Sequence, residues 1–333
     1  MDKDMTIKKQ KIVAYAAVIL SVLTTAVSTA AQARFPDHPI RLIVPFSPSG
    51  STDLSARLIA EYASHELGQT IVVENRAGAG GSLGMETVAR AKADGYTLGM
   101  ATMSTHGSNT VAYGDRLKYD PIKDFSPITN VATVPSVLAV NPNLKVKTIQ
   151  EFIALAKAKP GTITYASPGV GSLGNANIEH FASLAGIKLL HVPYKGSGQA
   201  MNDALGGQVD AITDNLPSAL THIKAGRLRA LALLSDKRSP VLPDVPVYSE
   251  IGLPQMGTGG WFGIVAPAGT PPDVVQTLNS AVHVAMKNPD FISKMKDAGA
   301  TLIPNTPEEF QLQIQQAVER YRAVGKVAEL GGK

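Results

Sequence analysis

The feature that most constrains this chain is a plan it uses twice: strand, Gly/Ser/Pro loop, helix, strand, helix, strand. In the first pass, residues 40–45 (IRLIVP) are a short apolar strand. Residues 53–67 read as a helix, with Leu54, Leu58 and Tyr62 four apart and Gly68 as its stop. Residues 70–74 (TIVVE) give a second strand, 84–93 a second helix and 96–101 a third strand. In the second pass, 162–166 (TITYA) is a strand, followed by a Gly-rich loop and a helix over 175–184. The strand 189–193, the helix 199–205 and the strand 209–213 complete it. Helices between strands act as crossovers, so each pass predicts a mostly parallel sheet with helices on both faces. The fold class is α/β, with two similar lobes. A chain of 333 residues is also long for a single core.

Two segments join the passes. Residues 126–140 are two β-rich stretches separated near Pro135. Residues 228–234 (LRALALL) and 261–266 (WFGIVA) flank an irregular, Pro-rich stretch over 239–254. The simplest assignment gives one lobe residues 34–134 plus 257–333 and the other 135–256, joined by two crossing strands. Three helix starts are punctuated by an N-cap Thr with an acid three residues on: Thr148 with Glu151, Thr270 with Asp273, and Thr306 with Glu309. The last two also place a Pro at the first helical position.

Residues 1–33 have another character. Lys3, Lys8, Lys9 and Lys11 precede an uncharged, largely apolar run over 12–30, and Ala31-Gln32-Ala33 is an A-x-A cleavage signal. That order predicts a secretory signal peptide. Without Lys3, Lys8, Lys9, Lys11, Asp2 and Asp4 the formal charge of +4 falls to +2. No basic cluster with interleaved aromatics remains, so no nucleic-acid partner is expected. The chain has no cysteine, which rules out disulfides, N-terminal cysteine acylation, Cys metal sites and Cys nucleophiles. No later run approaches the roughly 18 apolar residues that span a bilayer. The expectation is a soluble, monomeric protein of a Gram-negative periplasm.

Two loops carry the chemistry. Residues 46–53 (FSPSGSTD) leave the carboxyl end of a strand and open a helix. A helix N-terminus offers free N–H groups and partial positive charge, so it binds an anion without Lys or Arg. Phe46, Ser49, Gly50, Ser51, Thr52 and Asp53 are therefore candidate ligand contacts, with Gly50 admitting the ligand to the backbone and Ser49, Ser51 and Thr52 adding hydroxyls. The plainer reading is a capped turn, with Asp53 stabilising the helix start. Residues 167–174 (SPGVGSLG) stand at the equivalent place in the second pass, which adds Ser167, Gly169, Gly171, Ser172, Leu173 and Gly174. Two such loops would face each other across a cleft, at the strand ends where open α/β sheets bind ligands. Other strand ends supply Thr102, Ser104, His106, Tyr194 and Asp214 as candidates for specificity. A carboxylate at Asp214 would repel an anionic group and suit an ammonium, a hydroxyl or a structural hydrogen bond. Trp261, the only tryptophan, suits core, hinge or cleft wall.

Three other patterns fail on context. Residues 169–174 match G-x-G-x-x-G, but the next strand ends in Pro193-Tyr194-Lys195 where a dinucleotide site wants an acid. Residues 80–84 match G-x-S-x-G, but Asn75-Arg76-Ala77-Gly78 separate them from the preceding strand, and a nucleophile elbow must follow its strand directly. His65, His180, His222 and His283 have no second ligand at metal spacing. No catalytic residue, metal or cofactor is expected.

The stretches VPFSPSGSTD, VVENRAGAGGSLG, ADGYTL and YDPIKDFSPI resemble the Bug family of periplasmic solute receptors. The likeness continues through YASPGVGSLG, VPYKGSGQAMNDALGGQVDAITDNLPSAL, LRALALLSDKRSPVLPDVPV and WFGIVAPAGTP. It implies a type II periplasmic binding fold that closes on its ligand like a flytrap. It also implies a small carboxylate ligand (organic acid, amino acid or aromatic carboxylate) gripped by residues 46–53 and 167–174, partly through ordered waters. Delivery would be to the membrane subunits of a tripartite tricarboxylate transporter. One departure is visible: such proteins often have Pro-Gly-Gly or Ala-Gly-Gly where this chain has Pro48-Ser49-Gly50. Two alternatives stay open: a periplasmic serine hydrolase using Ser104 or Ser172 with His106, and a ligand sensor for a signalling kinase.

Overall fold

The computed structural model describes residues 35–328, so the signal-peptide reading of residues 1–33 lies outside the described residues. The chain divides into Met1–Asp37 and His38–Lys333. Of the first unit, residues 35–37 are described and carry no regular structure. The second begins with β1 (Ile40–Val44), α1 (Ser51–Leu67), β2 (Ile71–Asn75), α2 (Ser82–Ala89), β3 (Thr97–Thr102), α3 (Asn109–Ala112) and β4 (Phe125–Val134). It continues with β5 (Ser136–Val140), α4 (Ile149–Ala158), β6 (Thr164–Ser167), α5 (Leu173–Ala185), β7 (Leu190–Pro193), α6 (Ser197–Leu205), β8 (Ala211–Asn215), α7 (Leu216–Lys224) and β9 (Arg229–Leu234). It ends with β10 (Gly260–Pro267), α8 (Pro272–Ala285), α9 (Pro289–Asp297), β11 (Thr301–Leu302) and α10 (Pro307–Ala328).

Two sheets organise these elements, in the orders β11-β4-β10-β3-β1-β2 and β7-β6-β8-β5-β9. The result is an α/β fold of two lobes. The alternation predicts mostly parallel sheets, and the structure shows mixed ones. β1 runs parallel to β2 and β3, and β6 runs parallel to β7 and β8. These are the crossover units legible in the sequence. β10 is antiparallel to β3 and β4, β11 to β4, and β5 to β8 and β9. The antiparallel halves are built around the strands that pass from one sheet to the other, β4 into β5 and β9 onward to β10. Only Pro135 separates β4 from β5. Proline has no N–H for the ladder, so pairing breaks there and the chain changes sheet.

Helices beside the cleft start earlier than the sequence pattern suggested, at Ser51, Leu173 and Ser197. Their N-caps are Gly50, Ser172 and Gly196. The loops are correspondingly short, which puts free helical N–H groups at the strand ends. Thr148 and Thr306 cap as expected, each accepting from a backbone N–H three residues on, Glu151 and Glu309, at 3.2 Å. Thr270 does not: its hydroxyl donates back to the Pro267 carbonyl at 2.8 Å, and Pro271 takes the cap position. Pro271 at the cap and Pro272 at the first helical position fix the chain direction there without a side-chain cap.

Each lobe has its own core. Val140, Ile149, Phe152, Tyr165 and Phe181 pack in the second. Ile43, Met85, Val88, Phe310 and Ile314 pack in the first, where Leu173 and Ala176 of α5 join them. Each such large side chain contributes roughly 1.5–3 kcal/mol by burial. Because the start of α5 is seated in the first lobe's core, the lobes are closed on each other.

Candidate functional site

Four helices aim their N-termini at one small cavity between the lobes. Its free volume is ≈ 20 Å³. Gly50 and Thr52 reach it from α1; Ser172, Leu173 and Gly174 from α5; Ser197 from α6; and Asn215 from the cap of α7. Each helix start carries roughly half a positive charge. Phe46, Met103, Trp261 and Phe262 give apolar wall, and Thr102, Ser104, Pro168 and Gly260 complete the lining. Asp214 is the one charged lining residue, and no Lys or Arg is among them.

Asp214 is buried at 3 % exposure, and burial pushes its carboxyl pKa up against three hydrogen bonds that pull it down. Oδ1 accepts from Ser197 Oγ at 3.0 Å and from the Asn215 N–H at 2.8 Å, and Oδ2 accepts from Ser218 Oγ at 2.6 Å. These donors sit at the starts of α6 and α7. Asp214 is thus an internal anion for two of the four helix ends, and α1 and α5 remain for an incoming one.

Asp53 has a different place. Burial raises its pKa, but hydrogen bonds from Arg57, Asn75 and Ser49 outweigh that and hold the carboxyl below the usual range. It accepts from Ser49 N–H at 3.1 Å, Arg57 Nε at 3.0 Å and Asn75 Nδ2 at 2.9 Å. It braces the first loop from behind and does not line the cavity. Ser49 is exposed, with φ 71 in the left-handed region. Ser51 faces the other lobe, its Oγ accepting from Asn215 Nδ2 at 3.1 Å.

In the second loop, Ser172 Oγ caps α5 by accepting from Asn175 N–H at 3.2 Å, which leaves its own proton free beside the cavity. Ser104 Oγ accepts from Leu173 N–H at 2.9 Å, so its proton too is free. Ser167, Gly169 and Gly171 lie behind the lining. Ser167 Oγ meets His191 Nε2 at 2.7 Å, Gly169 has φ 130, and the Gly171 carbonyl accepts from Ser108 Oγ at 2.7 Å. Tyr194 points away, its hydroxyl donating to Asp203 Oδ2 at 2.6 Å.

His106 does not reach the cleft. A π-helical turn over Ser104–Ser108 winds the chain back and buries the ring completely against Phe125, Tyr119 and Trp261. Burial lowers its pKa to about 3, so it is neutral, and Nδ1 pairs with Thr105 Oγ1 at 2.9 Å. The hydrolase alternative loses its base. The Ser167–His191 pair has Asn175 rather than an acid at the second ring nitrogen, 3.4 Å away, and Ser167 is fully buried. Among the described residues no three His, Asp or Glu side chains could share a metal. Nor is any helix there long and apolar enough to cross a membrane.

Sequence reasoning missed Ser197 and left Trp261 and Asn215 unassigned. A signal for Ser197 existed: Lys195-Gly196-Ser197-Gly198 is a third Gly/Ser loop between a strand and a helix. Residues 80–84, set aside as a nucleophile elbow, hold a contact that the sequence did not reveal. A Cβ on Gly80 would run into the Val170 carbonyl and stand 3.1 Å from Ser172 N. That glycine lets the two lobes touch beside the second loop.

The profile described as tripartite tricarboxylate transporter family receptor matches residues 55–330. BugT of Bordetella pertussis is 38% identical over 321 residues, which are 95% of this chain and 98% of the relative. A Rhodopseudomonas palustris protein solved with adipate is 34% identical, with TM-score 0.85, over 89% of this chain and 98% of its own. MatC from the same organism, solved with bound malate, is 34% identical, with TM-score 0.83, over 87% and 99%.

Proposed function

The chain belongs to the tripartite tricarboxylate transporter receptor family, and from that premise we propose that it captures a small carboxylate between its lobes for uptake across the membrane. Proteins of this family bind solutes rather than turn them over, and this chain is a receptor, not an enzyme. The observation that carries the ligand class is the convergence of helix N-termini on a cavity whose lining holds no Lys or Arg. Backbone N–H groups and helix dipoles recognise a carboxylate there without a cation. In this reading the carboxylate sits between the starts of α1 and α5, with hydroxyls from Thr52, Ser104 and Ser172. The ligand's remainder meets Phe46, Thr102, Met103, Trp261 and Asp214. Residues 34–134 with 257–333 move as one lobe and 135–256 as the other. The protein works in the periplasm and presents its ligand to the membrane subunits of a tripartite tricarboxylate transporter; the charged, apolar and A-x-A segments of residues 1–33 support export.

A thermal-shift panel of organic acids, amino acids and aromatic carboxylates tests this. A ligand at about 100 times its Kd should stabilise the fold by about 2.7 kcal/mol, a shift of a few degrees. A shift confined to one class would name the ligand. If no carboxylate moved the transition while uncharged solutes did, the reading would be wrong.

A further inference from the structure

The second loop is held from the first lobe by groups that do not line the cavity. Ser108 Oγ donates to the Gly171 carbonyl at 2.7 Å, and the Tyr113 hydroxyl donates to the Val170 carbonyl at 2.9 Å. Neither residue lines the ligand cavity. Beside them, Ser104 Oγ takes the Leu173 N–H. Two more of the loop's N–H groups stay within its own lobe: Ser172 N–H donates to the Gly169 carbonyl at 3.1 Å and Gly171 N–H to Asn175 Oδ1 at 3.1 Å. The loop therefore keeps its shape by itself, while its 170 and 171 carbonyls are satisfied across the cleft. Ser108 also has a local alternative, the Ser104 carbonyl at 3.4 Å, available when the lobes part. The π-helical turn sets this up by placing Ser104 and Ser108 on one face towards the loop.

We propose that Ser108 and Tyr113 are positioning residues that form a closure latch: they fasten the Val170–Gly171 backbone to the first lobe and set how much of the protein is closed, whatever ligand is bound. Since they touch no ligand, they act on affinity only through the closed fraction, which multiplies every ligand's affinity by one factor. The buried Ser108 bond is the stronger. The half-exposed Tyr113 bond competes with water.

The test needs only changes that remove a hydroxyl, Ser108→Ala and Tyr113→Phe. The chain has no cysteine, so Lys157→Cys and Lys287→Cys, both exposed and on different lobes, take a fluorophore pair cleanly. Single-molecule energy transfer then counts closed molecules without ligand, and titrations with malate and with adipate give Kd. We expect Ser108→Ala to lower the closed fraction and raise both Kd values by about fivefold, and Tyr113→Phe by about threefold, each through faster dissociation. A factor that differed between malate and adipate, or an unchanged closed fraction, would overturn the latch. The ligand arm rests on the carboxylate-receptor reading. If the unaltered protein took up neither acid, that reading would fail for these probes, and the ligand-free closed fraction would still decide the latch.

Discussion

Replacing Gly196 by alanine should separate folding from binding. The residue caps α6 with φ 162 and ψ 177, an extended backbone that alanine adopts freely. The three atoms nearest the new methyl all belong to Ser47, in the loop across the cleft. Across the cleft, the Cβ would overlap Ser47 Oγ and stand 2.8 Å from Ser47 N and 3.1 Å from its Cβ. The hydroxyl could rotate away, but the backbone nitrogen belongs to the loop that starts α1 and cannot. Ordinary contact needs about 3.4 Å or more, so the rim of the cleft must stay open by several tenths of an ångström. Hydrogen bonds such as Ser108–Gly171 at 2.7 Å, Leu173–Ser104 at 2.9 Å and Asn215–Ser51 at 3.1 Å would stretch together. At about 1 kcal/mol each, their loss amounts to about 3 kcal/mol, or about 100-fold in affinity. Calorimetric titration with whichever acid the thermal panel identifies measures that loss. Scanning calorimetry of the ligand-free protein should show an unchanged melting point, because the clash exists only in the closed form. Wild-type affinity in this variant would refute the reasoning, and so would a lowered ligand-free melting point.

Other expectations follow from the same geometry. Ser49→Gly removes a side chain from a left-handed position and should stabilise the fold by about 0.5–1 kcal/mol, seen as a melting point one or two degrees higher with Kd unchanged. Asp214→Asn withdraws the internal anion from the ends of α6 and α7, so affinity for dicarboxylates should rise relative to monocarboxylates in parallel titrations. Equal effects on both would show that Asp214 does not sense ligand charge. His106 is neutral in the fold with a pKa of about 3 and protonates near 6.5 when unfolded. The unfolded chain thus binds the extra proton between those values, and stability falls as pH drops below 6.5, by up to about 1.4 kcal/mol per unit from this residue. His106→Gln should flatten the dependence of denaturant midpoint on pH over that window, and an unaltered slope would contradict the burial argument.

How much of this was legible in the sequence depends on what kind of information each feature needs. The parallel strands and their helices follow from local periodicity, and so do the two Gly/Ser-rich loops that open α1 and α5 at strand ends. The antiparallel strands did not, since pairing of β10 with β3 and β4 joins residues more than 120 positions apart. Asp53 and His106 show the limit more sharply. Both types of side chain suit a site, and both stand near strand ends. Yet Asn75 and Arg57 turn Asp53 towards the back of its loop, and a single extra residue in the turn at Ser104–Ser108 carries His106 into the aromatic core. Side-chain direction is set by partners that the sequence lists but does not place. The glycines were under-read for the same reason. Gly80 and Gly196 look like punctuation within their own lobes, and their absent side chains matter only where a backbone from the other lobe arrives. In a receptor that closes as proposed, the residues that line the cavity decide what is bound. The residues that leave room between the lobes, with those that bond across them, decide how tightly.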